Sequence, residues 1–192
     1  MSKDVIIVIR HGKPALSRNI LLTWRGYREW WGRYDESGLA EGQMPPENVE
    51  KLAQNADMII SSSLPRALET ARACAGREPD MITDELIEAA LPSPPLGPIR
   101  LEPRGWGTIS RIIWILGYSS GQETHMEANR RRDRAADILV EKASGGKTVF
   151  VAAHGWFNYM LKGALKRRGF RCVENHGSRY WAYRRYEKEN KL

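Results

Sequence analysis

The chain has 192 residues, of which 30 are Lys or Arg and 23 are Asp or Glu, giving a formal net charge of +7. An apolar fraction of 42% beside 28% charged residues excludes a disordered chain, and the length fits one domain, residues 1–192, with variable lid or substrate segments at about 13–40 and 89–122. The charge is uneven: residues 1–159 hold 20 basic and 20 acidic side chains, whereas residues 160–192 hold 10 and 3, so a polyanion-binding reading of the whole chain is weakened.

Val5–Ile9 is a continuous β-branched run, the pattern of a strand buried on both faces, and it leads directly into Arg10-His11-Gly12. Residues 13–40 follow as a basic, aromatic connection with Trp24, Trp30 and Trp31. Pro46 opens a helix through Val49 and Leu52 that stops before Asp57. Asp57–Ser61 reads as a second strand, followed by Ser62, Ser63, Leu64, Pro65 and Arg66. Leu64–Ala75 reads as a helix capped by Gly76. Residues 89–122, with Pro92, Pro94, Pro95, Pro98 and Pro103, read as a second long connection with a short helix at Ile112–Leu116. Glu123–Ala143 is a long helix ended by Gly145-Gly146, and Arg130–Arg132 within it reads as a solvated face. Thr148–Ala153 is a third buried strand, leading into His154-Gly155 and a helix over Trp156–Arg168 that Gly169 ends. Tyr180–Tyr186 reads as an edge strand.

The alternation predicts an α/β fold with a mostly parallel sheet. The apolar run Val5–Ile9 is too short for a signal peptide, and no stretch approaches the ~18 apolar residues of a membrane span. Cys74 and Cys172 form no C-x-x-C pair, and His11, His125, His154 and His176 show no i, i+4 spacing. These patterns exclude a disulfide framework and a structural zinc site, and predict a cytoplasmic protein with reduced thiols.

Ligands in open α/β sheets bind at the carboxyl ends of the strands. Arg10-His11-Gly12, Arg66 at a helix start and His154-Gly155 therefore converge on one predicted site. Two guanidiniums present donor forks to phosphate oxygens, a neutral imidazole can attack phosphorus, and a second His, if protonated, would add positive charge. Arg at a helix N-terminus opposes the helix dipole, which favours a ligand there. Asp84, Glu85 and Glu88 are the candidate acids for the leaving oxygen.

Arg10-His11-Gly12 behind an apolar strand, Ser62-x-x-x-Arg66-Ala67-x-x-Thr70-Ala71, Leu86-x-Glu88 and Ala153-His154-Gly155 before a helix resemble the histidine phosphatase superfamily, which includes the cofactor-dependent phosphoglycerate mutases. The resemblance spans about Val5 to Lys166. It implies a phosphoglycerate mutase-like, three-layer sandwich around a mostly parallel sheet, and a phosphomonoesterase working through phosphohistidine. His11 would be the nucleophile; Arg10, Arg66 and His154 would bind the phosphoryl oxygens; Glu88, favoured over Glu85, would protonate the leaving group. Gly12, Ser62, Gly155 and Asn158 would support the site, with a purely structural role for Asn158 an equal alternative. The resemblance implies a small phosphorylated substrate and no metal or other cofactor.

A mutase is the second reading, but Lys13-Pro14 and Ser17 depart from the mutase pattern after Arg-His-Gly, and the mutase G-W-x-D pattern is absent around Gly26 and Gly32. A phosphate sensor or RNA-associated module using the basic tail is the third, opposed by the intact catalytic set. His125 and His176 are read as solvated. Trp24, Trp30, Trp31, Trp106 and Trp114 form either a satellite core or a lid, the former being favoured.

Overall fold

A computed structural model describes residues 2–189. Six strands form one sheet in the order β3-β2-β4-β1-β6-β5. β1 is Lys3–Arg10, β2 Met58–Ser62, β3 Met81–Thr83, β4 Thr148–Ala153, β5 Arg171–Asn175 and β6 Tyr183–Glu189. The first four are mutually parallel, while β6 runs antiparallel to both β1 and β5.

The central strands carry apolar residues on both faces because both faces are covered. Ile6 and Val8 point into a core shared with α5 (His125–Ala143) and α6 (Gly155–Arg167), which supply Ala135, Leu139, Leu161 and Leu165. Val5, Ile7 and Ile9 point the other way, against Val49 and Ala53 of α2 (Glu47–Gln54) and Ala71 and Cys74 of α3 (Pro65–Ala75). The result is the expected three-layer arrangement. Its caps follow local chemistry: Pro65 occupies the first turn of α3, Gly76 ends it in the left-handed conformation, and Thr124 with Glu127 forms a capping box on α5.

Several features differ from the sequence-based expectation, the unforeseen strands β3 and β5 among them. Residues 13–40 and 89–122 each contain a 13-residue helix, α1 (Trp24–Glu36) and α4 (Pro103–Ile115); the predicted helix at Ile112–Leu116 is only the end of α4. α1 buries an aromatic stripe at helical spacing, Tyr27, Trp30 and Tyr34, against Trp106 of α4 in a small separate core. Trp24 and Trp31 pack on its margin, whereas Trp114 sits in the main core. The strand expected at Tyr180–Tyr186 is β6, and it is interior, because β5 pairs on its far side and takes the edge. Arg131 is buried rather than solvated; it forms a bidentate pair with Glu123 and donates to the carbonyls of Glu85 (3.1 Å) and Ile87 (2.8 Å).

Candidate active site

Parallel register brings three strand ends together. Arg10 of β1 lies opposite Ala153 of β4, and Ser61 of β2 opposite Ala152. His11 N–H donates to the Ala153 carbonyl at 3.0 Å, which locks the two His-Gly turns side by side. The His11 and His154 rings are 5.2 Å apart between centroids.

Both imidazoles are buried. Burial, reinforced for each by the nearby Arg66 and Arg10 charges, holds both well below the ordinary histidine value. The second histidine is therefore held neutral at rest, without the added positive charge that protonation would bring. His11 Nδ1 lies 2.7 Å from the Gly12 carbonyl. A carbonyl only accepts, so Nδ1 carries the proton and Nε2 keeps its lone pair. His154 Nε2 lies 2.8 Å from Ser62 Oγ.

Arg10 and Arg66 flank this pair differently. Arg10 donates to the Ser178 carbonyl at 2.6 Å and lies 4.5 Å from the Tyr180 ring centroid. Burial, with Arg18 nearby, lowers its pKa. Arg66, fully buried at the start of α3, donates to the Tyr34 carbonyl at 2.8 Å and to Asp35 Oδ1 at 3.0 Å. The Tyr34 ring sits 4.5 Å from the Arg66 guanidinium and 4.8 Å from that of Arg18. Three buried nitrogens around His11, namely Arg10 Nε, Arg66 Nε and His154 Nδ1, have no hydrogen-bond partner among the described residues.

Two glycines of the site meet close approach, severe at Gly12 and tight at Gly155. A Cβ on Gly155 would come within 3.1 Å of Arg10 Nε, and one on Gly12 within 2.3 Å of Trp181 Cζ2. Gly12 N–H donates to Thr70 Oγ1 at 2.9 Å, and Thr70 Oγ1 donates to the Arg66 carbonyl at 2.6 Å, so α3 is tied to the His11 turn. Asn158 donates to the Ile9 carbonyl at 3.0 Å and holds the end of β1. Glu88 accepts from Phe157 N–H at 2.9 Å and Trp156 N–H at 3.2 Å, so its carboxylate closes the N-terminus of α6. Glu85 instead pairs with Arg134, outside the site, and Asp84 hydrogen-bonds Ser63.

His11, Arg10, Glu88 and Gly155 line an open cavity of about 880 Å³. Its other walls come from the two segments read as lid or substrate connections, though without these residues singled out, and from the tail, which sequence reasoning missed. Arg18 and Tyr34 belong to residues 13–40, Arg104 and Arg111 to α4, and Ser178–Tyr180 and Arg184 to the basic tail. The remaining tail arginines are paired: Arg167 with Asp133, Arg168 with Asp137 and Asp133, Arg171 with Glu189, and Arg185 with Glu187. His125 is half-buried, edge-on to Trp114 at 4.8 Å, whereas His176 is exposed and stacks on Tyr183. Cys74 is buried, which pushes its thiol up to about 12, and Cys172 is exposed; both are free. Among the described residues, no three His, Cys, Asp or Glu side chains group as metal ligands, and no helix is long and apolar enough to cross a membrane.

No protein-family model matches the sequence, and no curated protein matches it significantly. Solved structures do resemble its fold. An open-reading-frame product of Mycobacterium tuberculosis is 21% identical, with 91% of this chain and 93% of that one covered at a TM-score of 0.54. A mycobacterial glucosyl-3-phosphoglycerate phosphatase is 18% identical over 86% and 80% at 0.55. A mutant phosphoserine phosphatase from Entamoeba histolytica, in complex with phosphoserine, is 19% identical over 85% and 80% at 0.52. The fold is the phosphoglycerate mutase-like one that the four motifs implied.

Proposed function

We propose that this chain is a phosphomonoester hydrolase working through phosphohistidine on His11. The observation that carries the reading is the trio of unpartnered buried nitrogens, Arg10 Nε, Arg66 Nε and His154 Nδ1, around an imidazole whose Nε2 lone pair is free. Buried donors in folded proteins are normally satisfied, and a phosphoryl group supplies three acceptor oxygens. The phosphatase names of two structural neighbours agree with it.

In this mechanism His11 Nε2 attacks phosphorus in line with the leaving oxygen. The N–P bond forms, the P–O bond breaks with its electron pair on oxygen, and the Glu88 carboxyl gives that oxygen a proton. Water then attacks phosphorus, Glu88 takes a proton from it, and the P–N bond breaks to release phosphate and regenerate His11. The two guanidiniums stabilise charge on the equatorial oxygens. His154 contributes an N–H if Ser62 donates its hydroxyl proton to Nε2, leaving the ring proton on Nδ1; the Leu64 N–H at 3.4 Å is oriented to supply Ser62 Oγ as that hydroxyl turns. No step requires a metal, and two free cysteines suit a reducing, cytoplasmic setting.

Hydrolysis of p-nitrophenyl phosphate by the purified chain, with and without EDTA, tests this directly. Turnover insensitive to EDTA is expected, with about a 10³-fold or larger loss in His11→Ala. A wild-type protein inactive over a broad phosphomonoester panel, or a fully active His11→Ala, refutes the proposal.

A further inference from the structure

The cavity holds more positive charge than one phosphoryl group uses. Six guanidiniums line it, those of Arg10, Arg18, Arg104, Arg111, Arg179 and Arg184, against one carboxylate, that of Glu88, which is already bound by backbone N–H groups. None of the six forms an ion pair with a carboxylate among the described residues, although most other arginines of the fold do. Clustered guanidiniums without counter-ions repel one another, and an anionic ligand relieves that cost.

Two of them are arranged as a unit apart from His11. Arg104 and Arg111 stand seven positions apart on α4, two turns along one helix face, with Gly107 and Thr108 of the same face also lining the cavity. The Arg111 guanidinium lies 5.1 Å from the Trp156 ring centroid, and its Nε is buried without a partner. Trp156 follows Gly155 in the first turn of α6, beside Glu88. An anion on this face of α4 therefore sits in the same cavity as the reacting phosphorus without competing for Arg10 or Arg66.

We infer that the substrate is a small phosphomonoester bearing a second anionic group, phosphate or carboxylate, which Arg104 and Arg111 hold while the first phosphoryl group reacts at His11. The inference rests on the phosphatase reading only for which of the two anions reacts.

Calorimetric titration of the full chain with three non-hydrolysable probes tests it: propylphosphonate, 3-phosphonopropionate and propane-1,3-diphosphonate. At least one bis-anion should bind wild-type protein about tenfold or more tighter than propylphosphonate. Carboxylate or phosphonate preference then identifies the second group. The bis-anion advantage should fall below about twofold in Arg104→Ala/Arg111→Ala and reverse in Arg104→Glu, a change at an exposed position that leaves the core intact. Equal affinity for mono- and bis-anions, an advantage that survives the double substitution, or no binding of any probe overturns the inference. Hydrolysis of p-nitrophenyl phosphate measured alongside separates the two readings. A bis-anion preference without turnover removes the phosphatase and leaves the second subsite, while turnover without preference does the reverse.

Discussion

The paired imidazoles make a quantitative statement about stability and pH. His11 and His154 are held neutral by burial and by Arg66 and Arg10, well below the ordinary value of 6.5 that they regain on unfolding. As pH falls through that value, the unfolded chain takes up two protons that the folded chain refuses. Their contribution is therefore fully present above about pH 7 and is lost as pH falls toward the depressed folded values. Between pH 7.5 and 5.5 each histidine costs about 1.4 kcal/mol, so the pair costs about 2.7 kcal/mol in the limit where neither protonates in the fold. For a chain of this size that is about 6–7 °C in Tm. Carboxylates also titrate over this range, so the comparison is with His11→Asn/His154→Asn, measured by urea unfolding at both pH values. Its loss between pH 7.5 and 5.5 should be smaller than that of wild type by up to about 2.7 kcal/mol, and that of His11→Asn alone by up to about half as much. Identical pH slopes for wild type and the double variant would show that the histidines are not held neutral.

Two further changes probe the scaffold under the site. Gly12→Ala forces a methyl against Trp181 at 2.3 Å and should destabilise by about 1–3 kcal/mol, read as a lower urea midpoint at constant m-value; an unchanged midpoint would mean that Trp181 does not pack there. Arg131→Met strands the Glu123 carboxylate and two carbonyls of the turn leading to Glu88, and about 3–5 kcal/mol should be lost in the same assay; a loss under about 1 kcal/mol would contradict a buried, structural Arg131.

The three central strands and the helices α2, α3, α5 and α6 were legible because each joins a simple apolar pattern to a cap residue. The residues of the predicted site were legible for the same reason, being fixed to the ends of those elements. What escaped depends on partners distant in sequence. β3 has three residues and no core of its own, and β5 is mostly exposed with no alternation to read. β6 looks like an edge because Arg184, Arg185, Glu187 and Lys188 crowd it. Several of these charges are answered from the neighbouring strands, as Lys3 answers Glu187 and Glu174 approaches Arg185. α1 buries its aromatic stripe against Trp106 of α4, away from the main sheet, while Trp114, also on α4, turns into the main core, so neither pattern reads simply. Arg131 shows the same limit, since nothing in Arg130–Arg132 tells which arginine meets Glu123.

Ser178 and β6 carry a consequence for the order of assembly. A nascent chain that has emerged through α6 already contains Arg10, His11, Arg66, Glu88 and His154, yet the outer edge of β1 is still unpaired and the Arg10 guanidinium lacks the carbonyl that anchors it. Synthesis must pass Tyr180, Arg184 and the rest of β6 before that edge is closed and the aromatic wall beside Arg10 is in place. The wall beside Arg10 is thus completed late in translation, after every residue of the four motifs has been made.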